Sequence, residues 1–248
     1  MTARLAKILS SLAAVAVTSA CGSYSEISIE TPIRATMDVS AFQRVFVAGF
    51  ISGGTEDVDG NLETTRLLRS QLRTKSSLRV IDADSLPLQD VAAEGRESEQ
   101  APPAAVKDEK DLDAYANLFA NVEYWKKIGE EYQQPLIVTG TVLFTPHQRN
   151  SIVQREEEVY DSFGRRRVVP VRTYQERKGF SLDGRFIFID GRNGSTLHSE
   201  TFAEQVLYSA NQTTPALSSY FELMDRLIPS FLSTLSSQRI KGTRILLQ

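Results

Sequence analysis

The chain has 248 residues, a formal net charge of -3 and one cysteine. With 41% hydrophobic and 24% charged residues, it has the composition of an ordinary globular protein of one large or two small domains, not of a disordered or fibrous one. One cysteine excludes an internal disulfide, a multi-cysteine zinc site and an iron–sulfur cluster, and the near-neutral charge gives no electrostatic case for nucleic-acid binding.

The first twenty residues have the layout of a secretory signal peptide. Arg4 and Lys7 form a positive start, residues 8–17 are mostly apolar, and residues 18–20 are small and precede Cys21. The apolar stretch is too short for a permanent membrane-spanning helix, which needs roughly 20 apolar residues. We therefore expect residues 1–20 to be removed from the mature protein.

The end of this segment resembles the bacterial lipobox, in which a cysteine is lipidated and the peptide is cut just before it. Ser19, Ala20 and Cys21 fit that motif, whereas Thr18 departs from it because leucine is usual there. The resemblance implies a lipid anchor on Cys21, which would hold the chain on a membrane. Gly22 stands where an aspartate retains lipoproteins at the inner membrane, so it implies the periplasmic face of the outer membrane. A plain secreted protein is the alternative.

The segment after Cys21 predicts a tether followed by the start of a sheet. Residues 21–40 are mostly polar or β-branched and have little period. Arg44 to Phe50 is a short apolar run that predicts a buried strand. After a turn rich in glycine and aspartate, Asn61 predicts the cap of a helix, and Leu78 to Ile81 predicts a second strand. The helical stripe comprises Leu62, Thr65, Leu68 and Leu72.

The middle of the chain predicts a flexible segment, a long helix and a strong strand. Residues 83–110 contain three prolines and many acidic and small residues, so we expect a flexible insertion. Asp111 predicts the start of one helix that runs to about Tyr132, and Leu136 to Phe144 is an unambiguous strand. The apolar stripe of that helix comprises Leu112, Tyr115, Phe119, Val122 and Ile128, with Trp125 near it.

Residues 150–178 predict a charged β-hairpin. Three glutamates, 156–158, precede the turn and three arginines, 165–167, follow it. If the turn is centred on Asp161 and Ser162, each glutamate faces an arginine across the pair, and such pairs contribute roughly 0.2–1 kcal/mol each. The arginines either meet an anionic partner such as lipid or peptidoglycan or are neutralised by the hairpin's own glutamates, and the second interpretation is favoured.

The last third predicts a second hairpin, a helix and a short strand. Phe180 to Asp190 alternates, with Leu182, Gly184, Phe186 and Phe188 on an apolar face and a mostly polar face opposite. Residues 191–194 have the glycine and asparagine of a hairpin turn, and residues 195–208 return as a strand. Pro215 predicts the start of a helix to about Gln238, kinked at Pro229. Thr243 to Leu247 predicts a final strand.

Few residues are candidates for catalysis or metal binding. His147, at a predicted strand end, and His198, on a strand face that can meet solvent, have no paired-histidine spacing between them. No nucleophile elbow or phosphate loop is present. Residues 55–61 have a faint calcium-loop pattern, but Arg66 stands where the bidentate glutamate belongs, which predicts a solvated turn. We expect no catalytic, cofactor-binding or metal-binding residue.

Several local strings resemble one group of periplasmic domains: that of the curli-secretion-channel lipoprotein, the penicillin-binding-protein activator lipoproteins and the amino-terminal domain of the Tol-system β-propeller protein. The resemblance spans about residues 42–240. It implies a fold more than a function, because the shared strings are strands and turns. The counterparts are Arg44 to Phe50 (RVFVAGF), Thr64 to Thr74, Leu78 to Asp82 (LRVID), Pro135 to Val142 (PLIVTGTV) and Leu182 to Phe202.

Together these patterns predict a single α/β domain over residues 41–248, a mixed β-sheet flanked by helices with an extra charged hairpin. We expect an interaction or assembly protein of the cell envelope that is held on the membrane through Cys21 and binds an envelope protein. Two alternatives stay open: a subunit of an oligomeric secretion-channel or envelope ring, which would be a homo-oligomer, and an envelope enzyme. No cofactor and no nucleic acid is expected.

Overall fold

The structure is a computed structural model that describes residues 24–94, 106–209, 212 and 215–247. It confirms the α/β prediction, with a mixed five-stranded sheet flanked by helices and a separate two-stranded sheet. The chain divides into two compact units. Residues 36–236 form the main unit, and the described residues before 36 and after 236 form the terminal unit.

Among the described residues, the main unit contains four long strands, one strand of two residues and six helices. In chain order they are β2 (Arg44–Gly54), α1 (Gly60–Lys75), β3 (Arg79–Val80), α2 (Leu88–Glu94), α3 (Glu109–Asp113), α4 (Ala116–Phe119), α5 (Val122–Glu131), β4 (Leu136–Tyr160), β5 (Arg166–Asp190), β6 (Thr196–Ser209) and α6 (Ala216–Leu235). The terminal unit pairs β1 (Tyr24–Ile33) with β7 (Gln238–Leu247).

The five-stranded sheet has the order β3-β2-β4-β5-β6. β3, β2 and β4 run parallel, whereas β4, β5 and β6 are joined as antiparallel neighbours. The register of β2 on β4 shifts between Val47 and Gly49, a β-bulge that redirects β2 next to α1. The strands predicted from Arg44, Leu136 and Phe180 are all present in this sheet.

One face of the sheet packs against α1 and α6. Leu182, Phe186 and Phe188 of β5 are buried there together with Phe231 of α6, as the alternation of β5 predicted. This aromatic-rich cluster is the larger of the two hydrophobic cores. Burial of each large apolar side chain contributes roughly 1.5–3 kcal/mol to folding.

The opposite face is covered by the short helices, which the sequence did not predict fully. Ile187 and Ile189 of β5 are buried against this second layer, together with Trp125 of α5. The expectation of a mostly polar face was therefore wrong for this end of β5. The Trp125 indole N–H donates to the Leu118 carbonyl at 3.0 Å, which joins α5 to α4.

The N-cap of α1 is Asp59 instead of Asn61. The Asp59 carboxylate accepts from the Leu62 N–H at 2.9 Å, and the helix begins at Gly60. The Asn61 side chain accepts instead from the Phe50 N–H of β2 at 2.8 Å, so it ties α1 to the sheet. Leu62 is 55% exposed, and the buried stripe runs through Thr64, which the apolar pattern alone could not indicate.

The long helix expected from Asp111 to Tyr132 is three short helices, α3 to α5. The Asn121 side chain accepts from the Tyr124 N–H at 3.1 Å and begins a new helix there. Val122, expected in the buried stripe, is exposed. An asparagine cap inside an apolar stripe competes with a continuous helix, because its side chain satisfies backbone N–H groups that a continuing helix would bond internally.

The flexible insertion expected over residues 83–110 contains ordered parts at both described ends. Residues 88–94 form α2, and Leu88 and Ala92 are buried in the second layer. Val106 is also buried, and its carbonyl accepts from the Gly54 N–H at 2.9 Å. Residues 95–105 lie outside the described part of the chain.

The terminal unit is a two-stranded antiparallel ribbon. Tyr24–Ile33 pairs with Gln238–Leu247, and Ile29 stands opposite Gly242. Residues 24–33, within the segment predicted to be a tether, form a strand. The final strand begins at Gln238 instead of Thr243.

Candidate interaction surface

Strands β4 and β5 are each 25 residues long and extend past their neighbours. Pairing of β2 with β4 ends at Phe144, and pairing of β6 with β5 ends at Arg177. Beyond those points residues 150–160 pair with residues 166–176, and this part of the described sheet has no third strand. We call residues 150–176 the outer hairpin. Its eleven residue pairs span about 35 Å at the usual rise of a strand.

Asp161 organises the turn of the outer hairpin. Its Oδ1 accepts from the backbone N–H groups of Phe163 and Arg165, both at 2.9 Å, and its own N–H donates to the Arg165 carbonyl at 3.0 Å. Gly164 has a φ of 74°, which glycine adopts without strain. The Arg165 N–H bond, followed by smaller contributions, holds the pKa of the Asp161 carboxyl below its usual range. The turn is thus a defined structure at the end of the hairpin.

The charge register predicted for this hairpin was wrong. Glu156 and Glu157 stand opposite Pro170 and Val169, because the turn closes between Asp161 and Arg165 and shifts β5 along β4. Such a shift changes every cross-strand pair at once.

The hairpin's own carboxylates pair with the three arginines, but only one of the three glutamates named in the favoured interpretation takes part. Arg166 pairs with Glu158, and Asp161 Oδ2 lies 3.1 Å from Arg165 Nε and 3.5 Å from Arg167 Nε. Asp161, which was expected only to form the turn, thus receives two of the three arginines. Exposed pairs of this kind contribute little to stability.

The outer hairpin concentrates exposed apolar side chains. Seven of the fourteen exposed large hydrophobic residues in the described chain lie in it. Ile152 and Tyr174 stand directly opposite each other and are 72% and 63% exposed, and Phe163 at the turn is 81% exposed. Tyr160 and Val168 lie on the same face as the Ile152–Tyr174 pair. Polar and charged side chains stand between the Ile152–Tyr174 pair and the second group on this face, so the apolar side chains form two groups and not one continuous patch. Exposed apolar side chains grouped in this way mark an interaction site more often than scattered single ones do.

The outer hairpin also has two free edges. Among described residues, β4 lacks a neighbour beyond Phe144 on one side, and β5 lacks one before Arg177 on the other. Unpaired N–H and C=O groups along such edges are a template for adding another strand. A lone two-stranded hairpin is also marginally stable in water, so a third strand would stabilise it. The sequence does not indicate this surface, because the charges of the segment can be read from it whereas the points at which the neighbouring strands end cannot.

The other residues singled out in the sequence do not converge on the outer hairpin. Cys21 and residues 1–20 lie outside the described residues. His147 is half-buried inside β4 opposite Gly179, not at a strand end. His198 does not face open solvent: it is half-buried, its ring centroid is 6.0 Å from that of Phe188, and its Nε2 lies 3.5 Å from a Glu200 oxygen.

The described residues offer little that resembles a metal centre or a membrane span. Among them no group of three or more histidine, cysteine, aspartate and glutamate side chains is placed to hold a metal ion. None of the helices in this part of the chain combines the length and the apolar character needed to cross a membrane. Residues 55–61 form a turn in which the Thr55 hydroxyl donates to Asp57 at 3.0 Å, and Asp59 caps α1.

No protein-family model and no curated protein matches the chain. The chain is similar to the lipoprotein GNA1162 from Neisseria meningitidis at 13% identity and a TM-score of 0.35, over 76% of this chain and 96% of that one. It is similar to the PelC dodecamer from Paraburkholderia phytofirmans at 12% identity and a TM-score of 0.39, over 86% of this chain and 100% of that one. A putative neuraminyllactose-binding hemagglutinin homolog from Helicobacter pylori gives 11% identity and a TM-score of 0.34, over 82% and 88% of the two chains. Similarities at these scores carry no function over to this chain.

Proposed function

We propose that the mature protein is a lipoprotein anchored through Cys21 to the periplasmic face of the outer membrane, and that it acts as a binding or assembly factor in the cell envelope. The anchor is supported by the signal-peptide pattern of residues 1–20 and by Gly22. The observation that carries the binding role is the outer hairpin, with its free edges and exposed apolar side chains. Its activity is binding, not catalysis.

The chemistry of the outer hairpin favours a protein partner over a lipid. Glu156, Glu157 and Glu158 are consecutive, so charges lie on both faces of β4, and burial of either face in hydrocarbon would be costly. An extended segment of a partner can bond a free edge and place its side chains against Ile152 and Tyr174. This mode of recognition, strand addition, takes affinity from backbone hydrogen bonds and specificity from alternate side chains.

The anchor is tested by mass spectrometry of the mature protein from membranes. We expect a chain that begins at Cys21 and carries the mass of its acyl chains, and a Cys21→Ser variant that is released from the membrane fraction. An unmodified Cys21, or cleavage at another position, would contradict the anchor. This result is independent of the outer hairpin.

The binding role is tested with a photo-crosslinking residue placed at Phe163 or Tyr174 in cells. We expect a discrete adduct with one envelope protein, and its loss when Ile152 is changed to Thr in the same chain. A crosslinker at Leu217, which is exposed on α6, is the matched control and should give no such adduct. If Phe163 and Leu217 give the same adducts, the outer hairpin is not the binding element.

A second candidate function is a subunit of an oligomeric envelope ring. The two free edges of the outer hairpin lie on different strands, so one copy can offer β4 to the β5 edge of the next. Contacts of this head-to-tail kind generate closed rings or open filaments. Native mass spectrometry of the lipidated protein in detergent would distinguish the candidates: a homo-oligomer lost on the Ile152→Thr change favours the ring, and a monomer rules it out.

A further inference from the structure

A second surface lies on the β3 side of the sheet, away from the outer hairpin. An open cleft of about 330 Å³ runs between α1 and the segment that follows β3. Arg66, Arg69 and Arg73 line it from the helix, and Asp82, Asp84 and Ser85 line it from the segment. Its volume is at the lower end of the range for small-molecule sites. In open α/β sheets ligands bind outside the carboxyl ends of strands, and residues 82–85 leave β3 at that end.

The three arginines form one row on the helix. Arg66, Arg69 and Arg73 are spaced three and four residues apart, so they lie on one face of α1 along two turns. Like charges at these spacings destabilise a helix. The same row provides up to fifteen N–H donors in planar groups, a geometry that matches phosphate and carboxylate oxygens.

Arg69 sits at the inner end of the cleft. Its Nη2 donates to the Val47 carbonyl at 2.9 Å, next to the β-bulge of β2, and this bond fixes the guanidinium. Its Nε is buried and has no hydrogen-bond partner among the described residues. Desolvation by burial, the largest effect, lowers the pKa of Arg69. A half-buried cation whose donors are not all satisfied is costly unless an anion approaches it.

The two aspartates neutralise the row only in part. Asp82 pairs with Arg73, and the charges of Asp82 and Asp84 oppose the larger effect of burial on the pKa of Arg69. Arg66 makes no hydrogen bond or ion pair with a described residue. Three arginines against two aspartates leave the lining of the cleft with a formal charge of +1. Arg44 and Arg79 line an adjoining cleft that shares Asp82, so the positive charge continues along this edge of the sheet.

We propose that this cleft binds a single phosphate group, with Arg66 and Arg69 as its main ligands and the Ser85 hydroxyl as a further donor. The charge of the lining suits a phosphate monoanion or a phosphodiester, and the guanidinium groups can bond it in pairs. The cleft is open on its outer side, so the phosphate can belong either to a lipid headgroup or to a soluble ester. The site does not depend on the outer hairpin.

The test uses the mature protein purified in detergent, with inorganic phosphate and glycerol phosphate as soluble probes. Detergent micelles that contain phosphatidylglycerol, compared with micelles that contain phosphatidylcholine, are the lipid probe, scored by competition with bound inorganic phosphate, because the anchor on Cys21 would insert into any vesicle. We expect saturable binding that Arg66→Gln weakens about three- to fivefold, the size of one partly exposed charge contact. Arg149→Gln, an exposed arginine on β4, is the control and should leave affinity unchanged.

The variant that best distinguishes the two roles is Asp82→Asn, because it removes the ion pair between Asp82 and Arg73 and leaves Arg73 free to bind phosphate. If the cleft binds phosphate, this variant binds about three- to fivefold more tightly, whereas a purely structural role for the arginines predicts no gain. Binding of the soluble probes with which neither lipid competes assigns a soluble ester, and competition by phosphatidylglycerol assigns a lipid headgroup. No saturable binding of any probe, or equal effects of Arg66→Gln and Arg149→Gln, would overturn the proposal.

Discussion

At the residue scale, the fully buried hydroxyl of Tyr220 joins two helices. Tyr220 on α6 donates to the Gly60 carbonyl at 3.1 Å and bonds the Thr64 hydroxyl, and both belong to α1. Desolvation, the largest effect, raises the pKa of Tyr220 well above its usual value, so the phenol is neutral in the folded protein. The larger core is thus held together by a polar link as well as by apolar packing.

Changing Tyr220 to Phe should lower the free energy of unfolding by about 1–3 kcal/mol, because the buried Thr64 and Gly60 groups lose a partner. Urea unfolding at pH 7 measures this. Tyr208→Phe is the matched control: the Tyr208 hydroxyl bonds Glu222 in a half-buried site, so its loss should cost about 0.5–1.5 kcal/mol. An equal loss of unfolding free energy in the two variants would show that burial does not strengthen the contribution of the Tyr220 hydroxyl.

A buried carboxylate makes a second prediction at this scale. Asp190 at the end of β5 accepts from Arg192 Nη2 at 2.7 Å and from the Arg192 backbone N–H at 2.9 Å. The Arg192 side-chain bond, the largest effect, lowers the pKa of Asp190. Because the folded pKa lies below the unfolded one, the linked stability is present above about pH 3.9 and is lost as the pH falls through the folded pKa.

Asp190→Asn should therefore reduce stability by about 1–3 kcal/mol at pH 7, and the difference from the natural chain should shrink below about pH 4. Chemical unfolding at pH 7 and at pH 3 measures both effects. Asp225→Asn, on the exposed side of α6, should change stability little at either pH. A difference for Asp190→Asn that stays constant with pH would contradict the linkage.

At the element scale, the sequence predicts the strands and helices that are determined by apolar runs and by glycine-containing turns. It does not predict element boundaries that are determined by a side-chain cap. Long apolar patterns in the sequence predict β2, the buried parts of β4 and β5, and α6. No other local structure competes with these elements. The break before α5 depends on one hydrogen bond that the Asn121 side chain accepts from the Tyr124 N–H. The start of α1 depends on whether Asp59 or Asn61 accepts from the backbone N–H groups of the first turn. In the outer hairpin, the register depends on the turn that Asp161 closes, which charge pairing does not determine.

The close contact between α5 and the β5–β6 turn requires glycine at position 129 of the helix and at position 194 of the turn, where a Cβ would lie 2.1 Å from the Val122 carbonyl oxygen. A Cβ at Gly129 would lie 1.8 Å from the Gly191 carbonyl oxygen, so the helix backbone rests directly on the turn. Gly129→Ala would force α5 away from the sheet and should cost several kcal/mol, well beyond the usual 1–3 kcal/mol of overpacking.

Gly184→Ala, in strand β5, is the matched control. A Cβ there would meet side-chain atoms no closer than 3.4 Å, and alanine in a strand loses less backbone entropy than glycine. We expect it to be neutral or to stabilise the protein by up to about 1 kcal/mol. Thermal unfolding of the two variants checks this, and a Gly129→Ala protein as stable as Gly184→Ala would contradict the close approach.

At the scale of the whole molecule, the cores and the two candidate surfaces are separable. Both cores are assembled from residues before Phe144 and after Phe180, together with the helices. The outer hairpin adds length to β4 and β5 but no buried core residue, and the arginine cleft uses α1 and the segment after β3. Peripheral elements of this kind can change while the packing of the cores stays the same. The fold is therefore easier to derive from the sequence than the biochemical role of the protein.

This separation predicts that the outer hairpin can be removed without loss of the fold. Replacing residues 150–176 by a short glycine-containing turn should leave the free energy of unfolding within about 1 kcal/mol, because those residues pair only with one another in the described sheet and isolated hairpins are marginally stable. Phe231→Ala, in the core under α6, should instead cost about 3–5 kcal/mol. Chemical unfolding compares the two, and phosphate binding in the cleft should survive the deletion while the crosslinks to an envelope partner disappear. A shortened chain that unfolds would mean that the outer hairpin supports the core, and its exposed side chains would then have to be explained as structural.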